Sequence, residues 1–364
     1  MRSSLKLIAL LGVLLCVSVH AQQTQSAREQ TANATPTTAP AEAVSAPAVG
    51  AISWQLKTGG SVYSTPLVAA GVVYFGSYDY NVYAADAATG RERWRVKTGG
   101  RVIGAPVLAD GVLYFGSQDN KLYAVAAATG QVKWKFKTEL AIVATPNVAG
   151  STVFVSGTDG SLYAVDTATG KQRWSFAVKR GTPTAPVLHD GLLFVGNAFG
   201  VQALTVQDGK EKWSFKSEGA VVSAPFVADD TLYFGTLRGR LYALEAQTGY
   251  EKWYTQVDGG LPFSPAVANG AVFFGGIAGT LHATDARDGH ELWSYTSEQG
   301  VTSAPTVAGA LVHFGSAKGL IALDAQTGQP RWSFNTNGII TSAPTIRDGL
   351  IYFGGWDGTL YAVH

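Results

Sequence analysis

The chain has 364 residues, 27 Lys and Arg against 26 Asp and Glu, and no long basic run, so bulk attraction to nucleic acid has no basis in it. Its 43 glycines, 9 Trp, 15 Tyr and 16 Phe, with only 15% charged residues, describe a turn-rich chain with a large core to build. Cys16 is the only cysteine, which excludes an intrachain disulfide, a cysteine-built zinc site and an iron–sulfur cluster.

Residues 1–21 begin with Arg2 and Lys6, continue as an apolar run from Leu7 to Val19 and finish in Val19-His20-Ala21, the pattern of a cleaved secretory signal. The run is shorter than the about 20 apolar residues a membrane span needs, and no stop-transfer flank follows it. Bacterial lipoproteins carry a cysteine after a box ending in a small residue; here the bulky Leu15 precedes Cys16, so lipid anchoring at Cys16 is not expected. Residues 22–50 are rich in Ala, Thr, Pro, Gln and Ser and free of aromatics, which predicts a flexible linker.

From residue 51 the chain is periodic. Trp recurs at Trp54, Trp94, Trp134, Trp174, Trp213, Trp253, Trp293 and Trp332, at intervals of 39 or 40 residues. Proline keeps the same rhythm from Pro66 to Pro344, and its short intervals fall where those of Trp do. Two residue types sharing one period, irregularities included, mark a structural repeat. Within the first unit, runs of about five residues rich in Val, Tyr and Phe read as strands: Tyr63 to Val68, Val72 to Gly76, Asn81 to Ala85 and Glu92 to Lys97. Turns at Ala70-Gly71, Tyr78-Asp79-Tyr80 and Thr89-Gly90 separate them, and helical periodicity is absent.

Four antiparallel strands in each unit of about 40 residues predict an all-β propeller. Seven units end in a Trp strand; the eighth, Ile339 to Val363, lacks one, while Ile52 to Lys57 is a Trp strand with no unit before it. If these two pair, residues 51–364 close as an eight-bladed ring and both free edges vanish. A ring sealed in this way is expected to be monomeric. The eight Trp residues are expected to pack between blades, with the turn glycine supplying a positive φ and the nearby small Ala leaving room for an indole.

The recurrent Ala-x-Asp-x-x-Thr-Gly-x-x-x-Trp, as in Ala84 to Trp94 and Ala322 to Trp332, resembles the tryptophan-docking repeat of pyrroloquinoline quinone (PQQ)-type propellers. Departures are local: Ala126, Thr205 and Glu245 replace the Asp, and Asp208 and Asp288 replace the Thr. Two kinds of protein share such repeats. Quinoprotein dehydrogenases hold PQQ and calcium, whereas the outer-membrane assembly factor BamB family acts as an interaction scaffold.

The enzyme class commonly adds long inserts between blades and a disulfide of adjacent cysteines; every unit here is 39 or 40 residues, and the cysteines are missing. His189, His282, His290, His313 and His364 form no metal-ligand spacing and are expected at the surface or rim. No nucleophile elbow, Walker loop or dinucleotide fingerprint occurs. No cofactor, metal site or catalytic residue is therefore expected, PQQ with calcium belonging only to the dehydrogenase alternative. The resemblance implies a non-enzymatic periplasmic scaffold, associated with the outer membrane, whose partner is an envelope protein of the β-barrel assembly machinery. Small-ligand binding in the central channel is a further alternative.

A binding scaffold should vary where its partner sits. One face of the ring carries the turns between strands one and two and between three and four, and is monotonous. The other carries the middle turns and the inter-blade connections. There Asp79, Asp119, Asp159 and Asp357 give way in units 4 to 7 to Phe199, Arg238, Ala278 and Lys318. With Lys179, Arg180, Lys216 and Arg240 these predict a basic and aromatic patch, facing an acidic arc with Tyr78, Tyr80 and Trp356 across the ring.

Overall fold

The computed structural model describes residues 50–178, 181 and 183–364. The signal, Cys16 and the linker up to residue 49 lie outside them, as do Lys179 and Arg180.

Eight four-stranded antiparallel sheets form the ring, an eight-bladed β-propeller with no helix among the described residues. Strands are lettered a to d from the axis outward; in blade 1 they are Leu67–Ala69, Val72–Gly76, Asn81–Asp86 and Glu92–Lys97. Strand a is shorter than the run from Tyr63 to Val68 suggested, because Pro66 lacks an N–H to pair and Ser64 reaches the Gly104 carbonyl of the next blade at 3.3 Å. Blade 8 takes its strand d from Ile52–Lys57, which pairs with Thr359–Val363 in a register that sets Trp54 against Ala362 and Lys57 against Thr359. The ring is closed as its sequence predicts.

The core lies between blades. The hydrophobic clusters join neighbours, as where Val72, Tyr74 and Val82 of blade 1 meet Leu113, Phe115 and Tyr123 of blade 2. Strands b and c are buried throughout, while strand d alternates exposed and half-buried. Seven of the eight indoles donate Nε1–H to a backbone carbonyl of the following blade, Trp54 to Ala87 at 2.9 Å and Trp94 to Ala127 at 3.0 Å among them. The same indole lies flat on the turn glycine of that blade. Gly90 has φ +70°, and a Cβ there would strike the Trp54 ring, so the glycine serves turn and contact together. The accepting carbonyl belongs to a small Ala in five of these seven blades and to Thr167 and Val206 in the other two.

Each c–d pair contains a bulge; in blade 1, Ala84 opposes Trp94 and Ala85 opposes Glu92, so Arg93 has no partner in the ladder. Arg93, Arg173 and Arg331 occupy this position and pair with the turn carboxylates Asp86, Asp166 and Asp324 at 2.7, 2.6 and 2.6 Å. Arg93 beside Asp86 holds that carboxyl down at about 2. Where the turn residue is Ala126, Thr205 or Glu245, the bulged residue is Lys133, Lys212 or Lys252; in blade 6 Asp285 is kept but the bulged residue is Leu292, and Asp285 pairs with Arg287 at 2.6 Å instead.

Two histidines are not at the rim. His282 and His313 are 9% and 3% exposed, taking the places held in blade 1 by Tyr83 and Tyr74. His282 stacks on Phe274 at 5.2 Å and His313 tilts against Trp332 at 5.6 Å. Their rings replace tyrosine and phenylalanine as core packing.

Candidate partner-binding face

The b–c turns and d–a connections share one face. Its four aspartates prove to be internal fasteners. Asp79 accepts the Tyr83 hydroxyl at 2.5 Å, the Asn81 N–H at 3.0 Å and, from the preceding connection, the Gly59 N–H at 2.9 Å. Asp119 holds Tyr123 and Gly99 alike, and Asp159 and Asp357 accept from Tyr163 and Tyr361 at 2.9 and 2.5 Å. Burial pushes the Asp79 carboxyl up, but the hydrogen bonds from Tyr83, Gly59 and Asn81 outweigh it and leave the group below its ordinary value. Burial, with the Asp357 carboxylate beside it, raises the Tyr361 hydroxyl to about 12. These carboxylates tie turn, strand c and connection together, and their lone pairs point inward.

In blades 4 to 7 the fastener is gone. Gln202, standing where Tyr83 does, bonds Asn197 at 3.0 Å and Glu211 at 2.7 Å; His282 reaches Glu291 at 3.1 Å; Tyr242 accepts the Glu218 N–H at 3.1 Å; Ile321 is apolar. The freed turn positions carry exposed side chains.

The expected patch residues divide by what holds them. Phe199 is 44% exposed in blade 4, and Lys216 of the same blade, Arg238 of blade 5 and Lys318 of blade 7 are exposed on the same face. Arg240 is engaged: it pairs with Glu218 at 3.0 Å, donates to Gln256 at 3.2 Å and covers the Tyr254 ring at 4.5 Å. Across the ring, Tyr78 stacks on Tyr63 at 4.2 Å beneath the Arg101 guanidinium, and Trp356 meets Tyr63 at 5.5 Å while bonding Thr341 at 3.1 Å. With Ile103 and Val143 these rings form one small cluster. Tyr80 is 42% exposed under the Lys97 ammonium.

Leu140, Leu237 and Ile277, 52%, 38% and 54% exposed, were not anticipated. With Phe199 they set an apolar side chain on this face in each of the successive blades 3 to 6. Their signal was present: the residue before the turn Asp is Gln118 or Thr158 in blades 2 and 3 but Leu237 and Ile277 in blades 5 and 6. Exposed leucine, phenylalanine and isoleucine side chains on four successive blades, with Arg238 among them, have the composition of a docking surface.

An eight-bladed ring built from units keyed by an indole, a glycine and a carbonyl defines a β-propeller of the PQQ-like repeat class. The chain belongs to the family of the outer membrane protein assembly factor BamB, whose model matches residues 40–182, 138–261 and 255–364. No curated protein sequence matches it. Among solved structures it is similar to BamB from Moraxella catarrhalis, with 20% identity over 86% of this chain and 98% of that one and a TM-score of 0.77. The computationally designed Ika8 protein shares 19% identity over 85% and 97%, with a TM-score of 0.76. A quinohemoprotein alcohol dehydrogenase, ADHIIG from Pseudomonas putida HK5, shares 17% identity over 86% of this chain and 75% of its own, with a TM-score of 0.72. At these identities the likeness is one of fold.

Proposed function

We propose that this protein is an exported, non-enzymatic scaffold that docks an envelope protein partner through the arc of Leu140, Phe199, Leu237, Arg238 and Ile277, in a role like that of BamB in outer-membrane protein assembly. The single observation that carries the reading is the run of exposed aliphatic and phenylalanine side chains on this face through the successive blades 3 to 6, of which blades 4 to 6 lack the aspartate fastener. Family membership supports an interaction scaffold in general.

Gly50, the first described residue of the N-terminal stretch, is bonded to His364 at the c–d turns, on the face opposite the arc. A few apolar and Arg side chains, each worth about 1–2 kcal/mol on truncation, suffice to carry such an interface.

The test is affinity capture from envelope extracts with purified Leu237→Ser/Ile277→Ser and Arg238→Glu variants, probing for the core of the β-barrel assembly machinery. Capture should fall at least tenfold, while Lys171→Glu on the opposite face leaves it unchanged. Equal capture by all variants overturns the reading. PQQ- and calcium-dependent dye reduction by the reconstituted protein would overturn its non-enzymatic part.

A further inference from the structure

Strand d is the outermost strand of every blade, and its second, fourth and sixth residues are exposed in all eight. In blade 1 these are Arg93, Arg95 and Lys97; in blade 2, whose strand d is Val132–Lys137, they are Lys133, Lys135 and Lys137. No other blade places more than two cations there, and blade 6 places none. The wall shared by blades 1 and 2 is therefore basic at all six positions.

In blade 1 the arginines meet carboxylates: Arg93 pairs with Asp86 and Arg95 with Glu92, each at 2.7 Å. Blade 2 lacks both partners. Ala126 stands where Asp86 does and Val132 where Glu92 does, and Lys133, Lys135 and Lys137 enter no ion pair among the described residues. The Lys135 ammonium lies 4.9 Å from the centre of the Tyr123 ring, which supports the side chain without cancelling its charge. Alternate residues of a strand are roughly 7 Å apart, so the three lysines form a regular ladder of uncompensated charge.

The charge is local. Residues 51–364 hold 24 Lys and Arg and 24 Asp and Glu, yet blades 1 and 2, residues 58–137, carry nine against five. Blades 5 and 6, residues 217–296, lie across the axis and carry four against nine. Three inter-strand steps in each facing blade, roughly 14 Å apiece, separate the two walls by about three Debye lengths at physiological salt, so the acidic half does not neutralise the basic one.

We propose that the outer wall of blades 1 and 2 docks on an anionic lipid surface, with blades 5 and 6 turned away from the membrane. A convex wall bearing long, flexible ammonium arms suits a fluid plane of phosphate headgroups. A protein partner would need apolar or aromatic anchors, and on these two strands only Val132, 37% exposed, is an exposed large apolar residue. Lysines along an edge strand also discourage pairing with another chain. The proposal does not rest on the scaffold reading, because the docking arc stands on other blades.

Co-sedimentation of the whole protein, purified after export, tests it with two kinds of vesicle: phosphatidylglycerol and phosphatidylcholine mixed one to two, and phosphatidylcholine alone. Each lysine near an anionic surface is worth about fivefold in partitioning, so the mixed vesicles should be favoured at least about fiftyfold at low salt. Added salt should close the gap. Lys133→Gln/Lys135→Gln/Lys137→Gln should lose at least about tenfold on the mixed vesicles. Lys171→Gln/Lys212→Gln/Lys318→Gln, the same charge change on other blades, should bind as the parent does. Ala126→Asp/Val132→Glu keeps all three lysines, supplies the carboxylates of blade 1, and should weaken binding about tenfold. The proposal is overturned if the mixed vesicles fail to bind up to millimolar lipid, which would leave an acidic protein as the partner of the wall. It is equally overturned if neutral vesicles bind as well, or if the two triple variants bind alike.

Discussion

Gly50 donates its backbone N–H to the carbonyl of His364 at 2.6 Å, the bond that Gly90 makes to Asp86 within blade 1 at 2.8 Å. His364 in turn donates to Ala51 at 2.9 Å, as Asp86 does to Arg91 at 2.8 Å. The c–d turn of blade 8 is thus shared between distant stretches of the chain, which reproduce its ends. Its middle, the counterpart of Ala87, is not among the described residues. Ala87 is the residue whose carbonyl receives the Trp54 indole, and Trp332, facing the shared turn, is the repeat indole whose Nε1 has no partner among the described residues.

The contrast between Trp332 and the other indoles is measurable. Trp94→Phe removes packing and an indole N–H bond to Ala127, leaving that carbonyl only the longer bond from the Tyr74 hydroxyl at 3.4 Å. Trp332→Phe removes packing and an indole N–H that has no partner among the described residues. In urea unfolding, Trp94→Phe should cost about 1 kcal/mol more than Trp332→Phe. Equal losses would show that the hydrogen bond adds nothing to the stacked contact.

The turn glycines separate strain from collision. Gly90 and Gly71 have φ near +70°, so alanine is strained at either, but a Cβ at Gly71 meets nothing within 4 Å whereas one at Gly90 enters the Trp54 ring. Gly71→Ala should therefore cost about 1 kcal/mol, and Gly90→Ala about 3 kcal/mol or more. Thermal melts of the two variants check this, and similar melting temperatures would refute the stacking account.

The Asp79 and Tyr83 fastener acts as a unit. Asp79→Asn weakens the bonds from Gly59 and Tyr83 together, while Tyr83→Phe removes a hydroxyl whose partner is a half-buried carboxylate. Each should cost about 1–2 kcal/mol, and the double variant should cost about 1 kcal/mol less than their sum. Full additivity in a double-mutant cycle would mean that the two groups stabilise the turn separately.

The fold was legible because its determinants are local and periodic. One indole, one glycine and one carbonyl recur at a fixed spacing, and the orphan strand Ile52–Lys57 announced the closure. The site was legible only in part. Position 79 and its equivalents showed that blades 4 to 7 differ, but sequence spacing did not reveal that Asp79 is spent on Tyr83 and Gly59, contacts that cross from turn to strand and from blade to blade. Arg238 and Arg240 look alike in the sequence; only the neighbouring Glu218, Gln256 and Tyr254 distinguish the engaged one. His282 and His313 were misplaced because a lone ionisable residue reads as surface, whereas His313 stands in a register otherwise held by Tyr74, Phe154 and Phe273.

That register makes His313 a source of acid sensitivity. Burial pushes its imidazole down to about 4, offset slightly by a backbone hydrogen bond at Thr306. Between pH 6.5 and 4 the unfolded chain takes up a proton that the folded ring refuses, so stability is full above pH 6.5 and falls as the pH falls towards 4. The shift corresponds to about 3 kcal/mol across that window. His313→Phe, which copies blades 3, 4 and 6, keeps the contact with Trp332 and removes the titration. Urea midpoints measured from pH 7.5 to 4 should separate progressively in favour of the variant, by about 3 kcal/mol at the acid end. Other carboxylates titrate in both proteins and cancel in the difference, so parallel curves would exclude His313 as the cause.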